Sequence, residues 1–533
     1  MVNENLIKFV QNNFGDEIVN RIRDDYSIGD KDLFSDIYEN LLVHEERKKY
    51  GQFFTHKELV NFILAEMPIE SNSSILDPAC GAGAFLSSIR NEFGSDIDLY
   101  GIDIDKKALE MCRFNLQLSC NDTDFNLCNL DTINQVTLDT FPSISKHGGF
   151  DFIVGNPPFL NLKKNVDYDE KNPCYKGVIS GVTNSSTLFI SKSLELLKEG
   201  GWLGFVLPKN LLRVNSFNGI RKHIVDNCII HRVFDIGHYF KDVRCDQIIL
   251  ILQKIKLTDK EAKEHKVLIS ILDSKQEFSK PKKYEIPQFL FRNQKTFPIY
   301  FDLAVNDFKN KLSNFPDNLN SLSRDIFRGF SLSPKHPNIS DKETAESLQI
   351  LRGKSIKRFK KEINLYLDVG SEGIVKPNEI LRQKYSRIVL QNIISKEGGL
   401  AACLSESDCF NLDTVTNVVL KDESNNKYVM GLLNSRISNF YILVITFLHS
   451  NFTMHADKSY IGNIPVVIPN LEQKQKIESF VDQLSNLEKR TEKFWTMYDE
   501  LNKEFYSIYG LSEEEVCLVE DILSEIMSVK SNG

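Results

Sequence analysis

The spacing of apolar residues changes several times along the chain. Between Asp32 and Leu42, the positions Leu33, Phe34, Ile37, Tyr38, Leu41 and Leu42 recur at helical spacing and predict an amphipathic helix. The loop Gly51-Gln52-Phe53-Phe54-Thr55 follows. Short apolar runs then alternate with longer stretches of helical period. Strands are predicted at Ile75-Leu76, Leu99 to Ile102, Asp151 to Val154, Trp202 to Leu207, Val233 to Ile236 and Ile248 to Leu252. Helices are predicted at Asp105 to Leu118 and Thr187 to Lys198, the second stopped by Gly200-Gly201. Alternating β and α segments with apolar strands predict a doubly wound α/β sheet.

That rhythm stops near Lys254. A Lys-rich stretch to about Lys283 reads as a connector or insertion. Beyond Leu312 come irregular loops, short strands (Arg387 to Gln391, Thr416 to Leu420, Pro465 to Ile468) and an apolar helix near Tyr428 to Phe447. From Leu471 one helical face carries Ile477, Phe480, Leu484, Leu487, Phe494 and Tyr498. The expected organisation is a helical segment at 1–46, an α/β domain at 47–255, a connector or insertion at 256–311, a mixed domain at 312–470 and C-terminal helices at 471–533.

Composition narrows the picture. A chain of 533 residues exceeds one ordinary core, so two or three domains are expected. No run approaches the roughly 18 apolar residues of a membrane span. The opening Met1-Val2-Asn3-Glu4-Asn5 lacks a signal-peptide pattern, so a cytoplasmic location is expected and no membrane partner. The ten cysteines are singles with no C-x-x-C pair, so no metal site is expected. A net charge of −8 does not by itself favour nucleic acid, so any such contact needs a local basic face.

Candidate chemistry begins at Asp77-Pro78-Ala79-Cys80-Gly81-Ala82-Gly83. A strand there runs into a Gly-rich turn at a helix start, where the backbone can approach a ligand closely. Asp103, 20 residues beyond Gly83, ends the next strand and stands where a carboxylate accepts from ribose hydroxyls. A dinucleotide fits poorly: the third glycine of its fingerprint is missing, and Asp77 would repel a diphosphate. A nucleoside carrying cationic groups and no phosphate, such as S-adenosylmethionine, suits that carboxylate. Cys80 reads as a small buried residue.

After the strand at Asp151 to Val154 comes Asn156-Pro157-Pro158-Phe159. Two prolines make a rigid turn that exposes carbonyls. If the Asn156 side-chain oxygen and the Pro157 carbonyl each accept one N–H of an aromatic amine, its lone pair is freed for methyl transfer. Phe159 offers a face on which an extruded base can stack.

Taken in order, these motifs resemble the N6-adenine DNA methyltransferases of the gamma arrangement, the type I and type II modification enzymes. The likeness is strong over Asp36 to Lys254 and weak beyond. It implies a Rossmann-like seven-stranded class I methyltransferase domain, preceded by a helical segment and followed by a mixed α+β target-recognition domain. The implied cofactor is S-adenosylmethionine. Phe54, Thr55, Asp77, Pro78, Ala79, Cys80, Gly81, Gly83, Asp103, Ile104 and Asp131 are the implied cofactor set. Within it, Thr55 and Asp77 hold the methionine moiety, Asp103 takes the ribose and Ile104 packs on the cofactor adenine. The adenine amine falls to Asp131, or to Asn129 if the register is two earlier. Asn156, Pro157, Pro158 and Phe159 are the implied catalytic residues, and Phe240 is a second aromatic stacking on the target base. The implied partner is double-stranded DNA, together with a cognate restriction endonuclease or a specificity subunit, in a prokaryotic, nucleoid-associated setting.

In the C-terminal half, Leu351 to Lys361 holds six basic residues and no acid. Lys354, Lys357, Arg358 and Lys360 are the expected phosphate contacts, with Arg324 and Arg328 as further candidates. Ile464 to Ile477 resembles the exit of a recognition domain into a spacer helix. Rival readings are methylation of a protein glutamine, RNA adenine or cytosine N4, for which the large C-terminal half and the Asn of the tetrapeptide are wrong. Cytosine C5 chemistry needs a Pro-Cys nucleophile, and Pro173-Cys174 lies too far along. A second possibility is a modification subunit that needs a separate specificity protein. A fused nuclease has too few residues before the cofactor motifs.

Overall fold

The computed structural model describes residue 8, residues 11–12 and residues 55–527, apart from 120–124, 180, 241–244, 273–280, 293–295, 300–302, 334–335, 345–346, 364, 369–381, 407–408, 448–453 and 488–490. The expected helix at Asp32 to Leu42 and the segment Gly51 to Phe54, Phe54 included, lie outside the described residues. The chain divides into two units, Met1–Ile299 and Tyr300–Gly533.

Unit 1 is built on one mixed sheet. Its strands are β1 (Ser74–Asp77), β2 (Asp98–Asp103), β3 (Asn126–Asn129), β4 (Phe150–Gly155), β5 (Leu197–Pro208), β6 (Ile229–Gly237), β7 (Gln247–Gln253), β8 (Lys266–Ile271) and β9 (Lys282–Pro287). They lie in the order β9-β8-β6-β7-β5-β4-β1-β2-β3. β1, β2, β3, β4 and β5 pair in parallel, and β7 runs antiparallel between β5 and β6. Helices α1 (Lys57–Ala65), α2 (Ala84–Phe93), α3 (Lys106–Ser119), α4 (Ser185–Leu196) and α5 (Asn218–Asn227) accompany it. Leu59, Val60 and Ile63 of α1, Phe85, Leu86 and Ile89 of α2, and Ile249 and Ile251 of β7 share one core.

Three expectations change here. The stretch 256–311, expected as a connector or insertion, supplies β8 and β9, so the sheet has nine strands against the seven expected. β9 is an edge strand bearing Lys282 and Lys283, and charges there block further pairing while reading as surface in sequence. The helix expected over Thr187 to Lys198 ends at Leu196, and Gly200-Gly201 lies inside β5 rather than capping a helix. A Cβ on Gly201 would stand 2.9 Å from the Phe150 carbonyl oxygen, so the glycine permits close strand approach.

Unit 2 holds two four-stranded sheets. β10 (Ser323–Arg328), β14 (Arg387–Gln391), β15 (Ala402–Ser405) and β17 (Val415–Leu420) form one, in the order β10-β17-β14-β15. β11 (Ile339–Ser340), β12 (Ser347–Leu351), β13 (Tyr366–Asp368) and β16 (Cys409–Asn411) form the other, in the order β11-β13-β12-β16. The expected strand at Pro465 to Ile468 does not form beyond an isolated bridge at Pro465. Its carbonyls instead accept from side chains, Pro465 from Tyr509 at 2.7 Å and Val467 from Tyr428 at 2.7 Å. The apolar helix is broken at Ser435 into α6 (Asn426–Asn434) and α7 (Arg436–Phe440), because Ser435 caps the second piece through the Ser438 N–H. Helices α8 (Leu471–Asn486), α9 (Glu492–Ile508) and α10 (Glu513–Ile526) complete the unit. Gly431 lets α6 approach α8, since a Cβ there would lie 3.0 Å from Val481. Among the described residues no single helix is long and apolar enough to cross a membrane.

Candidate active site

The site stands at the carboxyl ends of β1, β2, β3 and β4, where open α/β sheets place their ligands. β1 ends on Asp77, and the turn to α2 is held by backbone bonds from Cys80 N–H to the Ile102 carbonyl at 2.9 Å and from Gly83 N–H to Cys80 at 2.8 Å. Gly83, with φ +89°, leaves no room for a side chain: a Cβ would stand 2.6 Å from Cys112 Sγ on α3. Two residues that the sequence did not flag tie the turn down. Asn115 donates to the Ala82 carbonyl at 2.6 Å, and Thr132 donates to the Pro78 carbonyl at 2.6 Å.

Asp77 is 2 % exposed and Asp103 is 7 % exposed. Asp77 accepts from the Ala79 N–H at 3.0 Å. Asp103 accepts from the Gly81 and Asp105 N–H groups, both at 2.8 Å. Among the described residues neither carboxylate has an ion-pair partner. Burial pushes Asp77 up to about 8, against which the Ala79 bond acts, and the nearby Asp103 adds to the rise. Burial likewise raises Asp103 to about 6, opposed by its backbone donors. Two buried acids without a cation suit a ligand that brings positive charge. The neighbouring Cys112 and burial raise the Cys80 thiol well above its ordinary value, which keeps it unreactive. Ile104, just past Asp103, is 58 % exposed, an apolar face at the rim.

Asn129 and Asp131 follow different routes. Asn129 ends β3 opposite Asp103, and its Nδ2 donates to the carbonyls of Asp103 at 2.9 Å and Ile104 at 3.0 Å. That fixes its Oδ1 as the outward acceptor. Asp131 accepts from the Ile133 N–H at 2.9 Å and from Asn134 Nδ2 at 2.7 Å, so both its oxygens serve the turn.

The tetrapeptide leaves β4 beside Asp77: a Cβ on Gly155 would lie 2.8 Å from Asp77 Oδ1. Asn156 Nδ2 donates to Thr55 Oγ1 at 3.1 Å, which commits the amide nitrogen and leaves Oδ1 as the acceptor on offer. Ser185, at the start of α4, donates to the Pro158 carbonyl and accepts from the Leu160 N–H at 2.8 Å. The turn is thereby clamped to a helix that Asn184 caps. Phe159 is half-buried against the core. Phe240, expected against the target base, is only 7 % exposed and packs edge-on to Tyr239 at 5.1 Å. Tyr239 is half-buried and faces His56, next to Thr55, at 6.0 Å. Gln247 holds that loop through the Tyr239 and Phe240 N–H groups at 2.8 and 3.2 Å.

In unit 2 the basic run is not one face. Lys354 is exposed, Lys357 pairs with Glu362 at 3.9 Å, and Lys360 is half-buried. Arg358, expected as a phosphate contact, is 8 % exposed and donates to the carbonyls of Gly398 at 2.7 Å and Leu400 at 3.3 Å. It also lies over the Tyr498 ring at 5.6 Å. A guanidinium so engaged is held against the protein at the turn where Phe359 has φ +65°.

The strand order and the acid-lined turn define a class I methyltransferase fold. A structure of the type IIL restriction-modification enzyme MmeI in complex with DNA shares that fold, with a TM-score of 0.64 and 12 % identity, over 93 % of this chain and 82 % of that one. Residues 29–298 match the N-6 DNA methylase family and residues 348–466 the TaqI-like C-terminal specificity domain. The chain belongs to the N-6 DNA methylase family. Among curated relatives, the type II methyltransferase M.VspI of Vibrio sp. (strain 343) is 29 % identical over 41 % of this chain and 52 % of its own length. The type I restriction enzyme MjaVII methylase subunit of Methanocaldococcus jannaschii is 27 % identical over 45 % of this chain and 43 % of its own. The chain spans about half the length of the curated relatives it matches.

Proposed function

We propose that the chain is an S-adenosylmethionine-dependent DNA methyltransferase that methylates the N6 amine of adenine in a base turned out of the duplex, and that unit 2 selects the site. The observation that carries this reading is the hydrogen bond from Asn156 to Thr55. It presents a carbonyl oxygen on a rigid Asn-Pro-Pro turn beside the buried Asp77, a geometry suited to accepting an N–H from an aromatic amine.

The cofactor supplies an electrophilic methyl group on a sulfonium. Asp77 and Thr55 would hold its methionine end, Asp103 its ribose, and Ile104 its adenine face, with Pro78, Ala79, Cys80, Gly81 and Gly83 shaping the turn. Asn129 Oδ1 suits the cofactor's adenine amine better than Asp131, whose oxygens are already occupied. Asn129→Ala should therefore weaken cofactor binding about three- to tenfold, the range of one neutral hydrogen bond, while Asp131→Ala should act mainly through its turn. Calorimetry giving the reverse order would move the amine to Asp131.

At the target, Asn156 Oδ1 and the Pro157 carbonyl each accept one amine proton, which draws the nitrogen towards tetrahedral geometry and frees its lone pair. Phe159 stacks on the base. Phe240 is the aromatic proposed for the opposite face, with Tyr239 packed edge-on to it and beside His56. The decisive experiment is long-read sequencing of DNA from cells with and without the gene. It should show N6-methyladenine at a fixed motif, and a methylated cytosine or an unmodified genome would end the reading. A chain purified alone that gives the same motif needs no specificity subunit.

A further inference from the structure

β10 lies at the edge of its sheet and ends on Arg328, whose guanidinium forks onto Asp457. Arg328 Nε donates to Asp457 Oδ1 at 2.6 Å and Nη2 to Oδ2 at 2.8 Å. The two side chains are 43 % and 33 % exposed. Behind them sits the buried Asn392, whose Nδ2 donates both to Asp457 Oδ1 at 3.1 Å and to Thr416 Oγ1 at 2.9 Å. With that nitrogen committed, Asn392 Oδ1 accepts from His455 Nδ1 at 2.7 Å. The Arg328 hydrogen bond holds the Asp457 carboxyl below the usual carboxylate range, so it is charged at neutral pH. An exposed ion pair contributes little to stability. The buried Asn392 amide and the half-buried His455 imidazole behind it therefore serve to fix an orientation more than to hold the fold.

That orientation has a defined pattern. Nε and Nη2 face the carboxylate, so the remaining edge of the guanidinium, Nη1 with the outer proton of Nη2, points away from it. Among the described residues this edge makes no other hydrogen bond. Two donors side by side match the N7 and O6 acceptors of guanine, and an adjacent carboxylate matches the N4 amine of the paired cytosine. A phosphate matches badly, since Asp457 repels it and the pair carries no net charge. We infer that Arg328 and Asp457 form a base-reading site that takes the major-groove edge of a G·C pair. This rests on the reading of the chain as a DNA methyltransferase, and it makes Arg328, expected from sequence as a phosphate contact, a reader of base sequence at the end of β10.

The test compares wild type with Arg328→Ala, Arg328→Lys and Asp457→Asn. The methylated motif is sequenced after reaction of the purified full chain with plasmid DNA, and binding is titrated against salt. Both Arg328 variants should lose roughly ten- to hundredfold of the preference for G·C at one motif position, the lysine because it keeps the charge but not the fork. Asp457→Asn should relax the same position. The slope of log affinity against log salt should stay at the wild-type value. An unchanged motif in the folded variants overturns the inference. So does a uniform loss of affinity with a slope lower by about 0.9, which marks a phosphate contact. If Arg328→Ala fails to fold, the lysine and asparagine variants decide. A wild-type chain that methylates no DNA sinks the enzymatic reading as well, whereas an unaltered variant motif sinks this one alone.

Discussion

Asp77 and Asp457 are carboxylates held in opposite ways. Asp77 ends β1 in the interior of unit 1 with no cation beside it among the described residues, and burial lifts it to about 8. Asp457 lies half-open on unit 2 and is pulled below the ordinary range by Arg328. The first site has an electrostatic deficit that a ligand must make good, so it selects a cation. The second is already neutral as a pair, so it selects by the placement of donors and acceptors rather than by charge. On the proposed reading, chemistry and recognition would rest on different physics in the two units, and the difference can be probed separately in each.

The largest effect is expected where unit 1 acts on the target. Asn156→Ala should lower turnover at least hundred- to thousandfold, the scale of a lost preorganised polar partner, while cofactor affinity stays near the wild-type value. Near-normal turnover would remove Asn156 from the chemistry. Next, Asp103→Ala should weaken S-adenosylmethionine binding roughly ten- to hundredfold, since hydrogen bonds to a charged group contribute about 1.5–3 kcal/mol each. Unchanged affinity by calorimetry would place the ribose elsewhere.

A subtler effect sharpens the comparison directly. Because the folded state raises the pKa of Asp77, it binds a proton that the unfolded chain has lost. The stability of the cofactor-free protein from this group is therefore present at low pH and falls as pH rises from the ordinary carboxylate value of 3.8 through about 8. A bound cation favours the carboxylate, so cofactor binding near pH 7 should release protons. Calorimetry in buffers of different ionisation enthalpy measures that release, and Asp77→Asn should abolish it. No release in wild type would mean Asp77 is already charged. The smallest effect concerns Lys354, Lys357 and Lys360. Neutralising all three should lower the salt slope by about 0.9 per phosphate contact and leave the methylated motif intact. A slope equal to wild type would return them to the solvent.

The central strands were legible because each is an apolar run buried on both faces, as at Ile248 to Leu252. β3 escaped notice: Asn126-Leu127-Cys128-Asn129 is four residues with polar ends, and its pairing with β2 is tertiary information. β8 and β9 were hidden by the edge lysines around them. Motif order singled out Asp77, Asp103 and the tetrapeptide, which the fold gathers at the carboxyl ends of β1, β2 and β4. Asn115, Thr132 and Ser185 act through one or two side-chain bonds to segments distant in sequence, which leave no local pattern. The burial of Arg358 was not legible for the same reason in reverse, since a run of charges carries no record of which side chain turns inward.

The bond between Thr55 and Asn156 joins residues 101 positions apart. A contact so distant in sequence closes late, once β1 and β4 have found their parallel register, because the intervening chain must be ordered before it. The acceptor geometry of Asn156 therefore belongs to the completed unit and not to the turn that carries it. A synthetic Asn-Pro-Pro-Phe loop, or a fragment beginning after Thr55, should keep the turn yet leave the amide free to rotate. Refolding followed by amide exchange on Asn156 should show its protection appearing after that of the β1 and β2 backbone.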